Sequence, residues 1–161
     1  MNFKDIKEEL YEILDKEYNI YREILEIFKE ERAAIMVDDV STLNALIIKG
    51  EEKIHRIKYL EEKRRSLLEG DSSITRLDVF INQITDPEDR ERFWDLKDRL
   101  LSIMEELKYI KEANELIIKK TLKYLRFYIE LLSKEMGSPV YGKAGVLNVN
   151  RDFMNKLDER V

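Results

Sequence analysis

Cysteine is absent from the 161-residue chain. That removes disulfides, thiolate metal ligands and a thiol nucleophile at once. Histidine occurs once, as His55. With Glu52 it forms an E-x-x-H spacing, but a di-iron carboxylate site built on that spacing needs a second copy, and no second histidine exists to supply it. His55 therefore reads as a solvated helix-face residue. Only five glycines and two prolines are present, so neither a glycine-rich phosphate loop nor a turn-dense strand architecture has residues to form it. No apolar run approaches the length of a membrane span. Nor is there an excess of positive charge. The net charge of −5 gives no general attraction to nucleic acid or to anionic lipid. No catalytic constellation and no cofactor motif is found, and a non-enzymatic protein is the expectation.

What the chain does contain is charge and apolar side chains in helical alternation. Charged residues make up 39% and hydrophobic ones 43%, the composition of long amphipathic helices. The length suits one domain with its own core. The opening MNFKDIKEEL lacks the charged-then-apolar layout of a signal peptide, which makes the cytoplasm the expected location.

The expected fold is all-α: an elongated antiparallel hairpin of two helices packed on a long third one in a coiled-coil-like bundle, with one short bridging helix and a flexible C-terminal tail. Residues 1–136 form the bundle and residues 137–161 the hinge and tail. In the first helix, Phe3 to Met36, the residues Phe3, Ile6, Leu10, Leu14, Tyr18, Tyr21, Leu25, Phe28 and Ile35 recur near a 3.6-residue period. Val37, Asp38 and Asp39 interrupt it, and either aspartate can cap the second helix, Val40 to Glu69. That helix presents Val40, Leu43, Ile47, Ile54, Ile57, Leu60 and Leu67. Gly50 falls on the same face, at a cost of about 1 kcal/mol of helix propensity relative to Ala. Either close approach of another backbone or a local kink would account for it. The cluster Lys63, Arg64 and Arg65, flanked by Glu61, Glu62 and Glu69, reads as solvated surface.

Gly70 to Ser73 are a clear break, and Thr75 to Ile84 read as a short helix that needs docking to be stable. Asp86 then reads as an N-cap, with Pro87 at the first helical position and Glu88 and Asp89 in the first turn. No further Gly or Pro appears before Gly137. The resulting helix, about 75 Å long at roughly 1.5 Å per residue, carries a heptad seam. Its members are Phe93, Leu96, Leu100, Ile103, Leu107, Ile110, Asn114, Ile117, Thr121, Tyr124, Tyr128 and Leu131. Asn114 and Thr121 are the polar seam members, the type of residue that sets register and partner choice. From Ile117 onward apolar residues cover most of the circumference. Such a surface is either enclosed in a core or completed by another molecule or by the chain's own tail.

After Met136, Gly137, Pro139, Gly142 and Gly145 end the helix. The tail that follows carries Val146, Leu147, Val149, Phe153, Met154, Leu157 and Val161, an amphipathic segment too short to fold alone.

Several stretches resemble the FlgN-type flagellar export chaperones. In the hairpin these are Glu31 and Arg32, the acidic turn Asp38 and Asp39, and the closing Leu60, Glu61 and Arg64. The long helix adds Asn114, Leu116, Ile117, Thr121 and Leu122. The tail supplies a Tyr-Gly-x-x-Gly with Tyr141, Gly142 and Gly145. The resemblance implies a chaperone that binds the C-terminal helices of hook-associated flagellar proteins, keeps them from premature assembly and delivers them to the type III export gate. It further implies that Leu125 and Leu132 together with Val146, Leu147, Val149, Phe153, Met154 and Leu157 contact the substrate protein, and that Tyr141 meets the gate. A structural coiled-coil or scaffold protein that uses the same seam for self-association, weak or permanent, is the alternative that the residues leave open.

Overall fold

The computed structural model describes residues 2–69 and 76–135. Among these, four helices and no strand are found: α1 (Phe3–Met36), α2 (Val40–Glu69), α3 (Leu77–Gln83) and α4 (Pro87–Glu135). The chain divides into two compact units, Met1–Lys111 and Glu112–Val161.

Polar caps set the helix ends, as local hydrogen-bond chemistry requires. Asn2 accepts from the Asp5 amide at 2.9 Å to start α1, and Asp86 accepts from the Asp89 amide at 2.9 Å to start α4. Between α1 and α2 the two aspartates divide the work. Asp38 takes the left-handed turn (φ 55°). Asp39 is the cap, accepting from the Thr42 amide at 3.1 Å and its hydroxyl at 2.6 Å. These bonds hold the Asp39 carboxyl below the usual carboxylate range. The short helix α3 begins two residues later than its pattern suggests, because Arg76 is extended and offers no side-chain cap. Docking supplies the stability that local signals do not: Phe80, Ile81 and Ile84 are all fully buried.

Three apolar clusters give the arrangement within the first unit. Leu10 and Leu14 of α1 meet Leu68 of α2, the α3 residues Phe80 and Ile81, and Phe93, Leu96 and Leu100 of α4. Farther along, Ile24 and Leu25 meet Ile57, Ile103, Leu107 and Ile110. Last, Ile27 and Ala34 meet Leu46. Numbers rising on α1 thus pair with falling numbers on α2 and rising numbers on α4, so α1 and α2 form an antiparallel hairpin with residues 87–111 of α4 parallel to α1. A repeated contact fixes that second pairing. Arg92 lies over the Tyr11 ring at 4.6 Å and, one heptad on, Arg99 lies over Tyr18 at 5.0 Å. Lys7 is ion-paired to Asp89 at the same end, and both Nε and a terminal nitrogen of Arg90 donate to the Ile84 carbonyl, which ties α3 to the start of α4.

The buried face of α2 differs from the expected one. Val40 and Ile54 are exposed, while Leu46, Gly50, Ile57, Leu60 and Leu68 are buried. The true stripe runs through two cations that a count of apolar residues skips. Lys53 pairs with Glu23 at 2.5 Å. Arg64 pairs at 3.2 Å with Glu17, whose side chain is 1% exposed. Arg64 is therefore not part of a solvated cluster. Beside this pair the Tyr21 hydroxyl donates to Glu61 at 3.2 Å. Burial pushes the Glu17 carboxyl up to about 7, with Arg64 opposing and Glu61 adding to the rise. Burial does the same to Glu31, also to about 7.

Helix α2 continues through Gly50 without a break. A Cβ placed there would meet only side chains, Ile27 Cγ2 at 3.6 Å and Glu31 Oε1 at 3.9 Å, which is ordinary contact. Close backbone approach is not what the position demands.

Two outcomes follow. Gly50→Ala raises stability by about 1 kcal/mol through helix propensity, read as a higher urea midpoint at unchanged slope; a destabilised variant would show that the site needs glycine. Glu17 and Glu31 bind protons more tightly folded than unfolded, so their contribution is full below pH 4.5, where the unfolded groups titrate, and is lost as pH rises through about 7. Stability declines across that window, by up to about 3 kcal/mol for Glu17. Thermal denaturation of Glu17→Gln checks it: a flatter pH profile is expected, and an unchanged slope would refute the assignment.

Candidate functional site

The residues that carry the family resemblance fall into two groups with different work. In the hairpin they are structural. Asp38 and Asp39 build the turn, and Arg64 neutralises buried Glu17. Glu61 receives the Tyr21 hydroxyl, Leu60 is buried, and Glu31 is half-buried beside Gly50. Arg32 is exposed. The partner of Arg64 is Glu17, a residue that a count of apolar positions on α1 passes over. Its signal is positional: it lies three residues beyond Leu14 and four before Tyr21, on the apolar stripe of α1.

Nothing in the hairpin has the form of a reaction centre. Glu52 pairs with Arg56 at 3.6 Å and His55 is exposed. Among the described residues, no three or more His, Cys, Asp or Glu side chains are grouped to hold a metal ion, and no helix is long and apolar enough to cross a membrane. The surface depression lined by Lys16, Asn19, Ile20, Arg56, Tyr59 and Leu60 is shallow and open. Two of its cations already face carboxylates on their own helices.

The second group lies in residues 112–135 of α4. Asn114 and Leu122 are buried. Thr121, expected in the seam with Asn114, is exposed, and its hydroxyl donates back to the Ile117 carbonyl at 3.0 Å. Leu122 is the buried residue of that turn. The following residues are not enclosed in a core. Exposure runs from 44% at Leu131 through 52% at Tyr128 and 59% at Phe127 to 64% at Tyr124. Leu125 and Leu132, expected to contact substrate, are exposed as well. The rings of Tyr124 and Tyr128 lie 6.0 Å apart on this surface. The remaining expected contacts, Val146, Leu147, Val149, Phe153, Met154 and Leu157, and Tyr141, lie outside the described residues.

Apolar and aromatic side chains exposed along several turns are of the kind that can receive another apolar stripe. Tyr and Phe provide large contact area at small conformational cost and are the residue types that concentrate binding energy. Chemically, such a face can hold a helix and release it.

No curated protein and no solved structure matches the chain. Among protein-family models, that of the FlgN protein matches residues 1–148. It covers the hairpin, α3, the whole of α4 and the Tyr141 motif. On that match, the chain belongs to the FlgN family of flagellar export chaperones.

Proposed function

We propose that this chaperone binds the C-terminal helices of hook-associated flagellar proteins, keeps them from assembling prematurely in the cytoplasm and delivers them to the type III export gate. Exposure of the aromatic and aliphatic face of α4 beyond Ile117, in a chain of this family, is the observation that carries the reading. A subunit awaiting export presents an amphipathic helix whose assembly partner is absent, and a helical receptor face covers it. Leu125 and Leu132 supply part of the contact, and the tail residues Val146, Leu147, Val149, Phe153, Met154 and Leu157 supply the rest. Tyr141 meets the export gate. In the absence of substrate, the tail's Phe153, Met154, Leu157 and Val161 compete for the same apolar face, so client binding displaces the chain's own segment.

Calorimetry with the C-terminal helical segments of hook-associated proteins tests this. The intact chain binds. Leu125→Asp combined with Leu132→Asp weakens binding at least about tenfold, since burial of each Leu is worth about 1.5–3 kcal/mol, while helicity by circular dichroism is unchanged. Truncation after Gly145 also weakens binding and leaves cooperative unfolding intact. Full-strength binding by both variants, or none by the intact chain, would overturn the reading.

A further inference from the structure

The exposed face of α4 is not only apolar. Between Leu116 and Lys134 the chain has five basic residues, Lys119, Lys120, Lys123, Arg126 and Lys134, against one acidic residue, Glu130. The stretch is therefore +4 in a chain of net charge −5, which leaves −9 elsewhere. Steps of four and three place Lys120, Tyr124, Phe127, Leu131 and Lys134 along one line of the helix, and all five are exposed.

Some cations elsewhere are paired with carboxylates a turn away on their own helix: Lys16 with Glu12, Lys29 with Glu26, Arg92 with Asp89 and Arg99 with Asp95. Among the described residues, none of the five cations of this stretch is ion-paired.

We infer that this face takes an acidic amphipathic helix, one whose apolar stripe is edged by carboxylates that meet Lys120, Lys123 and Lys134. The inference rests on the reading of this surface as the client site and names the chemistry that the client must carry. Other occupants fit less well. A second copy of the chain would set this basic edge against its own equivalent, so like charges would oppose association. The tail matches the apolar part alone, because residues 146–161 balance Arg151, Lys156 and Arg160 against Asp152, Asp158 and Glu159. An anionic membrane attracts the stretch but repels the −9 of the remaining chain over a wide area. A narrow acidic helix adds complementary charge where the neutral tail adds none, and that difference lets it win the competition.

The test uses the full chain and two model amphipathic helices that share one Leu and Phe stripe, edged by Glu in one and by Lys in the other. At low salt the Glu-edged helix binds about tenfold tighter, and the gap closes as ionic strength rises to about 1 M, where the Debye length is roughly 3 Å. In the triple variant Lys120→Gln, Lys123→Gln, Lys134→Gln the preference disappears at unchanged helicity. Equal binding of the two helices overturns the inference but leaves the client reading standing if hook-associated segments still bind. A Glu preference without binding of those segments counts against the client reading instead. Cosedimentation with phosphatidylserine vesicles that the triple variant abolishes, with no discrimination between the peptides, would assign the face to a membrane and also overturn it.

Discussion

A carboxylate inside the seam of a helical hairpin constrains everything around it. Glu17 has nearly all its surface removed from water, and the Arg64 guanidinium at 3.2 Å is the charge that makes this tolerable. A slip of α2 along α1 by one turn would leave Glu17 buried opposite an apolar residue, at a cost of several kcal/mol. An apolar seam alone would tolerate such a slip far better. The pair therefore fixes which residues face each other along the rest of the hairpin: Gly50 against Ile27, and Leu46 near Ala34. Lys53 with Glu23 repeats the device nearer the turn. Register in this protein is set by a few polar contacts, and cohesion by the apolar ones.

Much of the architecture was legible because helix ends are local events. Asp86 followed by Pro87, and Met36 followed by the two aspartates, announce their boundaries through short-range hydrogen bonding, and the helices begin and end there. The face that α2 buries was harder to read. Two members of its stripe are charged, and a count of apolar residues passes over Lys53 and Arg64 to reach Val40 and Ile54, which lie exposed. The partners that make these cations buriable sit on α1, some thirty to forty-seven positions away in the chain. No local pattern records that distance.

The candidate surface shows the opposite ambiguity. Apolar residues around most of a helix signal that the surface will be covered, without saying by what, because a core and a binding face share one composition. Only the exposure of Tyr124, Phe127, Tyr128 and Leu131 separates the two. Charge gives the finer distinction. On α1 and in the early part of α4, carboxylates spaced one turn from lysines and arginines neutralise them within the helix. Beyond Ile117 such carboxylates nearly vanish from the sequence, with Glu130 the one that remains before Lys134. The same helix that closes the first unit's core with Phe93, Leu96 and Leu100 thus changes character along its length.

The parallel pairing of α1 with α4 has a consequence for how the protein is made. Lys7 and Asp89 are 82 positions apart, so the stripe of α1 that packs on Phe93, Leu96 and Leu100 lacks its α4 partner while the ribosome is still producing α2 and α3. The antiparallel hairpin joins neighbouring chain, so it can form with its polar pairs in register before α4 emerges to pack against it. By the time residues 116–134 leave the exit tunnel, the Phe93, Leu96 and Leu100 core can already be closed. Order of synthesis favours filling the permanent contacts before the binding face appears.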